Sequence, residues 1–142
     1  MTDREAIQQL MSTYVFCLDA RDYSGIKSCL HEDAVFEHSG SDRSYEGNAA
    51  IADLLKAVLD PLDATQHMLA NFIIEIIDDC ASLTCDILAH HVRLDSGAPR
   101  RFTAGGKYAV KLKRSSGDWR IARLTARPIW SDGDARVVSP DS

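Results

Sequence analysis

Four long strand patterns, separated only by short connections, constrain the fold of this chain most. They cover residues 66–77, 81–94, 101–112 and 119–130, and the first contains the run Phe-Ile-Ile-Glu-Ile-Ile. A turn at 78–79, a loop at 95–99 and a turn at 115–118 connect them. Strands connected this closely pair antiparallel, because a parallel pair needs a long crossover. The second half of the chain therefore predicts an antiparallel meander.

The first half of the chain has helical patterns instead. A helix over 2–21 opens with a capping box, in which Thr2 accepts from the backbone three residues on and Glu5 reaches back to Thr2. Its apolar side chains recur at three- and four-residue steps, as in a helix that packs on a core: Ile7, Leu10, Met11, Tyr14 and Leu18.

The remaining elements of the first half are short. A helix or turn is predicted at 23–30, two short strands at 34–38 and 44–46, and a helix at 49–59, which Asp60-Pro61 ends. Helices that come first and long strands that come last predict an α+β fold, with the helices on one face of the sheet.

Two adjacent glycines in the third long strand predict that the sheet is curved. The strand at 101–112 alternates apolar and basic residues, and Gly105-Gly106 interrupts it in the middle. Glycines within a strand are typical of a bend or a bulge, and such a feature curls a sheet around its contents. A curled sheet with helices across its open side encloses a pocket.

Charge and composition exclude several classes of protein. The 142 residues carry a net charge of −5 without a cluster of Lys or Arg, which argues against a nucleic-acid partner. The apolar runs are too short to span a bilayer, and residues 1–10 do not resemble a signal peptide, so we expect no membrane partner and a cytoplasmic location.

The four cysteines do not form a zinc pattern, so no metal is expected, and we interpret them as reduced thiols: Cys17, Cys29, Cys80 and Cys85. The length suits a single domain over 1–130, and the Gly-, Asp-, Ser- and Pro-containing end predicts a flexible tail at 131–142.

Asp19 and Asp22 lie where the first helix should end. A carboxylate is disfavoured there, because the carbonyl end of a helix carries partial negative charge. Two interpretations of Asp19 follow from the residues alone. It is either a solvated helix-end carboxylate, paired with Arg21 or with an arginine of the sheet, or it is retained for a function.

Several motifs, in this order and spacing, resemble the SnoaL-like branch of the NTF2-like superfamily over residues 3–130. They are Tyr14, Asp19, Arg21 and Asp22 at the end of the first helix; Leu30, Asp33, Ala34, Val35 and Phe36; Gly47 with Ile51; Thr65, Gln66, His67 and Asn71; and 118–121, Asp-Trp-Arg-Ile. The resemblance implies an NTF2-like cone, in which a strongly curved antiparallel or mixed sheet holds the N-terminal helices in its concave face.

Within that branch the chain looks most like the scytalone-dehydratase and bile-acid-dehydratase type. Those enzymes use a His–Asp dyad without a metal or organic cofactor, and the matching residues here are His67 and Asp19. The resemblance implies that His67 is a general base, that Asp19 orients it and that Tyr14 donates to the substrate. Arg127 and His91 are further candidates for substrate binding. The implied activity is a dehydratase-type lyase or an isomerase that acts on an apolar hydroxylated or ketonic small molecule.

Other functions of the same fold stay open. The chain could be a non-catalytic ligand-binding or assembly module, with a filled or shallow cone and no contact between His67 and Asp19. It could be the small subunit of a ring-hydroxylating dioxygenase. An epoxide-hydrolase-like member would need a second aspartate in a late strand, which the sequence does not clearly supply. The resemblance also implies a homodimer, or a higher homo-oligomer, that forms through the sheet.

Two patterns conflict with the dyad. On an ideal helix Tyr14 and Asp19 are about 140° apart around the axis, so both reach one pocket only if the helix end frays or the sheet wraps around it. Strict alternation also places His67 on the less apolar face of its strand, opposite Met68, Ala70, Phe72, Ile74 and Ile76. Either a bulge near Ala70 or Asn71 resolves this conflict, or one face lines the pocket and the other forms a dimer interface.

Overall fold

The computed structural model describes residues 1–94 and 97–139. Residues 95 and 96 of the predicted loop, and 140–142 of the predicted tail, lie outside that description. The elements in chain order are α1 (Asp3–Ala20), α2 (Tyr23–Cys29), β1 (Leu30–His38), β2 (Ser44–Glu46), α3 (Asn48–Leu59), β3 (Ala64–Ile77), β4 (Cys80–Arg93), β5 (Arg100–Ser115), β6 (Asp118–Gly133) and a final 3₁₀ turn (Ala135–Val138).

The strands form one mixed sheet in the order β2-β1-β6-β5-β4-β3. Strands β3 to β6 make the predicted antiparallel meander. Strand β1 pairs parallel with β6 and antiparallel with β2, and this adds the short hairpin to the far edge of the sheet. The three helices pack against this open sheet, which confirms the predicted α+β class.

Helix α1 is held at both ends. At its start, Asp3 accepts from the Arg114 guanidinium at 2.7 Å and from the Trp119 indole at 3.2 Å, both on the β5–β6 hairpin. At its end, Arg21 adopts a left-handed conformation (φ 55°) that stops the helix. The Arg21 side chain then donates to the carbonyls of Leu59 and Leu62 at the end of α3. These contacts fix where the last turn of α1, and with it Asp19, meets the sheet.

A bulge in β3 resolves the conflict in its alternation. Asn71 adopts φ 59°, and the pairing with β4 moves from Ala70↔Asp86 to Ile73↔Thr84, so that two residues of β3 face one of β4. Before the bulge the odd-numbered Thr65, His67 and Leu69 are less exposed than their neighbours; after it the even-numbered Phe72, Ile74 and Ile76 are. The bulge therefore places His67 and the apolar half of the strand on the same inner face.

The predicted irregularity at Gly105-Gly106 is confirmed. The register between β5 and β6 shifts there, with Gly105 opposite Trp130 and Gly106 opposite Pro128. A Cβ atom on Gly105 would lie 2.2 Å from the Trp130 indole, and one on Gly106 would lie 2.3 Å from the Arg127 carbonyl oxygen. Position 106 needs glycine because the backbone of β6 crosses it too closely for a side chain, whereas a side chain at position 105 would have to displace the Trp130 indole.

The flexible tail was predicted to begin at residue 131, but regular structure continues beyond that residue. Strand β6 continues through Gly133, and in the 3₁₀ turn that follows Val137 is buried. The Asp134 carboxylate accepts from the Arg136 backbone N–H at 3.0 Å and caps this turn. Pairing with β5 and the burial of one apolar side chain outweigh a composition that is typical of a loop. No helix in 1–94 or 97–139 is long and apolar enough to cross a membrane.

The bulge yields a stability prediction. Asn71→Gly keeps the left-handed conformation and loses the hydrogen bond from Asn71 to Asp86, so we expect a free energy of unfolding within about 1 kcal/mol of wild type. Asn71→Val puts a β-branched residue at positive φ, and we expect a further loss of about 1–2 kcal/mol. Urea unfolding measures both, and equal stability of the two variants would contradict the role of the bulge.

Candidate active site

A partly buried carboxylate–imidazole pair joins the end of α1 to the start of β3. The Asp19 carboxylate contacts the His67 ring at 2.7 Å, from Oδ1 to Nδ1. It also accepts from the Thr65 hydroxyl at 3.0 Å and, through Oδ2, from the His67 backbone N–H at 3.0 Å. Three donors from one strand thus hold the carboxylate in place. Arg21, one of the candidate partners of Asp19, donates instead to the carbonyl of Leu59, the last residue of α3, and to that of Leu62 in the turn that follows.

These donors keep Asp19 ionised. Burial raises the pKa of the carboxyl, but the hydrogen bonds from the His67 ring, the His67 backbone and Thr65 outweigh it, so the pKa lies below its usual value. An ionised carboxylate only accepts, so the Nδ1–H of His67 must be the donor. In a neutral His67 ring, Nε2 is therefore the nitrogen without a proton, and it lies on the side of the ring away from Asp19.

A second histidine lies beside the first. His91, on the neighbouring strand β4, is 9% exposed, and its ring meets the His67 ring edge to face with the centroids 5.7 Å apart. Its Nδ1 lies 3.0 Å from the carbonyl oxygen of Phe102, which can only accept, so Nδ1 carries the proton here too. Burial of the ring lowers the pKa of His91, which favours the neutral form.

Both histidines line a cavity of about 610 Å³ between the helices and the inner face of the sheet. Its wall is largely apolar and comes from every layer of the fold, with Leu18 of α1, Phe36 of β1, Leu54, Leu55, Val58 and Leu59 of α3, and Ile87, Ala89 and Phe102 of the sheet. Pockets of about 300–1,000 Å³ with an apolar wall and a few polar groups are typical of small-molecule sites.

Tyr14 lines the same cavity. Its angular separation from Asp19 around the axis of α1 is therefore no obstacle, because the two side chains need not face the same space. His67, but not Asp19, is among the described residues that line the cavity. Asp19 therefore holds His67 from behind, and only Tyr14 has to face the cavity from α1. Tyr14 is 1% exposed, and burial raises the pKa of its hydroxyl well above the usual value.

Arg127 is placed differently from the other predicted residues. It borders the mouth of the cavity, between Ala126 and Pro128, but it is exposed and pairs across the sheet with Lys107. The structure thus brings His67, His91 and Tyr14 together at the cavity wall with Asp19 behind them, and leaves Arg127 at the rim.

Two residues of the site were not predicted. Thr65, two residues before His67 on the same face of β3, completes the hydrogen bonding of Asp19. Tyr108, on β5, is 8% exposed and lines the cavity. Its place in the apolar alternation of β5 gave a signal for burial but none for function. Within the described residues, no group of three or more His, Cys, Asp or Glu side chains is arranged to hold a metal ion.

Comparison with known proteins matches this chain to a family, to a relative of similar length and to several solved structures. The family model of the SnoaL-like domain matches residues 1–125. The terrestric acid biosynthesis cluster protein E of Penicillium crustosum is 33% identical over 143 aligned positions, which cover 96% of this chain and 90% of that protein.

Two solved structures from Novosphingobium aromaticivorans share the fold. One, whose name assigns it provisionally as an aromatic ring hydroxylase, is 28% identical with a TM-score of 0.86, covering 96% of each chain. The other, provisionally named a scytalone dehydratase, is 20% identical with a TM-score of 0.83, covering 93% of this chain and 87% of that one. The likeness to the second concerns the fold alone.

The site geometry predicts the tautomers of three histidines. In the neutral form, His67 and His91 should carry their proton on Nδ1 and leave Nε2 bare. His31 is the internal control, because its Nδ1 accepts from the Asp33 backbone N–H at 3.1 Å and its proton must therefore be on Nε2. Long-range ¹H–¹⁵N correlation spectra distinguish the two tautomers. An Nε2–H signal from His67 would contradict the arrangement.

The hydrogen bonds of Asp19 also predict a dependence of stability on pH. Because the folded-state pKa is lowered from 3.8, ionised Asp19 stabilises the fold above that pH, and this contribution is lost as the pH falls through the folded value. We expect the free energy of unfolding of wild type to exceed that of Asp19→Asn above pH 3.8, and the difference to shrink below it. Urea unfolding at stepped pH measures this, and a constant difference would count against it.

Proposed function

This chain belongs to the SnoaL-like domain family, and on that premise we propose that it is a cofactor-independent lyase or isomerase acting on an apolar hydroxylated or ketonic small molecule. One observation carries the proposal. The Nδ1 of His67 is held by Asp19 at 2.7 Å, while the ring itself lines an apolar cavity. An imidazole that is fixed on one nitrogen and bare on the other is suited to take a proton from a molecule in the cavity.

The dyad divides the work between its two members. The neutral His67 imidazole takes the substrate proton at Nε2, since a histidine is a competent base near neutral pH. Asp19 fixes the tautomer beforehand and stabilises the imidazolium that forms, as the carboxylate of a catalytic triad does. Because the carboxylate is already held by Thr65 and the His67 backbone, it need not reorganise during the reaction.

For a β-hydroxy ketone the elimination balances without another reactant. His67 takes a proton from the carbon next to the carbonyl, and the C–H electron pair forms the C=C bond of an enolate. The enolate then re-forms the carbonyl and expels the β-hydroxyl, which takes the proton from His67 and leaves as water. The products are an unsaturated ketone, water and the original dyad. Return of the proton to a different carbon of an unsaturated ketone gives the isomerase alternative.

The remaining predicted residues bind the substrate in this proposal. Tyr14 donates to a substrate oxygen from the apolar wall, and His91 accepts a hydrogen bond at its Nε2. Arg127, at the rim, contacts the part of the substrate that extends from the mouth. A non-catalytic binding module would have a filled or shallow cone without the contact between His67 and Asp19. The open cavity and the 2.7 Å contact therefore support elimination chemistry.

The relatives support a role in small-molecule metabolism. A biosynthesis cluster protein at 33% identity over nearly the whole chain favours a substrate made or consumed in a synthetic pathway. The structure provisionally named a ring hydroxylase, at 28% identity, keeps an aromatic substrate as a second candidate. The apolar wall of the cavity suits the carbon skeleton of either kind of substrate.

We also propose a homodimer that forms through the outer face of the sheet. Large apolar side chains are exposed at outward positions of β3, at Met68, Ile73 and Ile77, and such a face is typical of an interface. The four free thiols suit a reducing compartment, which supports the proposed cytoplasmic location.

The dyad can be tested on a panel of β-hydroxy ketones, by enone absorbance and by exchange of the α-proton for deuterium in NMR spectra. We expect His67→Gln and Asp19→Asn to remain folded and His67→Gln to lose about 10²–10⁴-fold in rate, the usual contribution of a positioned base. His90→Gln is the matched control, because His90 lies on the same strand as His91 but faces outward and contacts Thr103. Turnover that is unchanged in both dyad variants would overturn the proposal.

A further inference from the structure

The turn between β1 and β2 forms one side of the mouth of the cavity. The lining residues that are exposed mark this mouth, and they are His38, Ser41 and Arg43 of the turn, Lys107 of β5 and residues 127–131 of β6. Strands β2 and β3 are the two opposite edges of the six-stranded sheet. A ligand that reaches His67 on β3 with one end can therefore present its other end to this turn.

The charges along the cavity are opposite in sign to the charge of the whole chain. The protein has 21 acidic and 16 basic residues and a net charge of −5. Among the described residues that line the cavity, however, none is Asp or Glu, whereas Arg43, Lys107 and Arg127 are present. Asp19 lies behind His67, where three donors of β3 hold its charge. The mouth is thus cationic, and its field favours an anion.

Two of these three cations are directed away from the interior of the cavity. Lys107 donates to the carboxylate of Asp86, its neighbour across β4 and β5, and the two charges neutralise each other. Arg127 follows Thr125 by two residues, and the Thr125 hydroxyl donates to Glu37 on the outer side of the sheet. Because alternate residues of a strand share a side, the Arg127 side chain belongs to the outer side too.

Arg43 is the cation on the inner side. It precedes Tyr45 of β2 by two residues, so the two side chains share one side of the extended chain, and both residues line the cavity. Within the parts of the chain that the structure describes, the Arg43 guanidinium forms no ion pair. Its N–H donors are therefore available to a ligand at the mouth.

The same turn supplies two further donors. The register of β1 and β2, continued by one residue, sets His38 opposite Arg43, and the His38 ring packs edge to face on Phe36 with the centroids 5.2 Å apart. The Ser41 hydroxyl accepts from the Arg43 backbone N–H at 3.1 Å and keeps its own proton to donate. Asp42, in the same turn, is not among the lining residues. A guanidinium, an imidazole and a hydroxyl thus border one side of the mouth.

We propose that this turn binds a carboxylate at the outer end of the substrate, with Arg43 as the main contact and His38 and Ser41 as additional donors. The inference rests on the proposed function, because it takes the cavity as the substrate site. It narrows the substrate to an apolar molecule with the reacting carbon near His67 and an acid group at the mouth. The planar fork of a guanidinium matches a carboxylate through two parallel hydrogen bonds.

The test measures the binding of three fluorescent probes that share one apolar ring system: 2-naphthylacetate, its uncharged isostere 2-naphthylacetamide, and 2-naphthylmethanesulfonate. We expect wild type to bind the acetate about 5- to 15-fold more tightly than the amide, between the usual worth of an exposed ion pair and that of a hydrogen bond to a charged group. This preference should shrink at about 1 M salt, which screens charges beyond about 3 Å.

Substitutions at the mouth separate the role of Arg43 from a general effect of charge. Arg43→Gln should remove most of the preference for the acetate and leave the amide affinity within about twofold of wild type, as expected of a surface change. Arg43→Lys should keep part of the preference, since lysine retains the charge without the planar fork. Arg127→Gln should reduce it less than Arg43→Gln does, because the Arg127 side chain belongs to the outer side.

Arg101→Gln is the matched control, because Arg101 is an exposed arginine of β5 that does not line the cavity. It should change neither affinity. Equal affinity of wild type for the acetate and the amide would overturn the assignment. So would a preference that survives in Arg43→Gln or that falls equally in Arg101→Gln. Tighter binding of the sulfonate than of the acetate would overturn the choice of a planar carboxylate in favour of a tetrahedral anion.

The two proposals fail separately. If wild type shows no preference for the acetate while His67→Gln loses turnover, the dyad stands and the carboxylate site does not. If the preference depends on Arg43 while both dyad variants keep their turnover, the carboxylate site stands and the elimination chemistry does not. His67→Gln itself should keep the preference for the acetate over the amide, because His67 lies on the opposite edge strand.

Discussion

The contact between Asp19 and His67 connects the two halves of this protein, and contacts of the neighbouring elements hold the two residues in place. It joins the last turn of the first helix to the first long strand, 48 positions later. The contact requires α1 to stop at Arg21, so that Asp19 projects toward β3 instead of continuing a helix. Arg21 then secures that end to α3, while Asp3 and Arg114 secure the other end to the β5–β6 hairpin.

Hydrogen bonds within the fold fix the orientation of two histidine rings on the cavity wall. Each inward histidine donates from Nδ1, to a carboxylate or to a backbone carbonyl, and is left with a bare Nε2. Burial lowers the pKa of His91 and raises those of Tyr14 and Tyr108. The largely apolar wall thus favours the neutral form of His91 and of both phenols.

At both Asp19 and His67, the local sequence pattern disagrees with the structure around it. The alternation of β3 turns His67 away from its apolar neighbours, and only the left-handed Asn71 reverses this. Asp19 sits at the helix end that disfavours it, and its hydrogen bonds offset the cost. Real proteins break local rules mainly where function or strain requires it, so these two departures favour the proposed role of the pair.

The sequence by itself determined the order and type of the elements, because apolar periodicity, caps and turn residues act over a few neighbouring positions. It also indicated Gly105-Gly106 as a point of irregularity, and its resemblance to the SnoaL-like branch indicated Asp19, His67 and Tyr14 as candidate site residues. Only the tertiary structure decided that β1 pairs parallel with β6, that Arg127 stays at the rim, and that Thr65 and Tyr108 join the site. Those outcomes depend on contacts between residues far apart in the chain, and local patterns carry no record of such contacts.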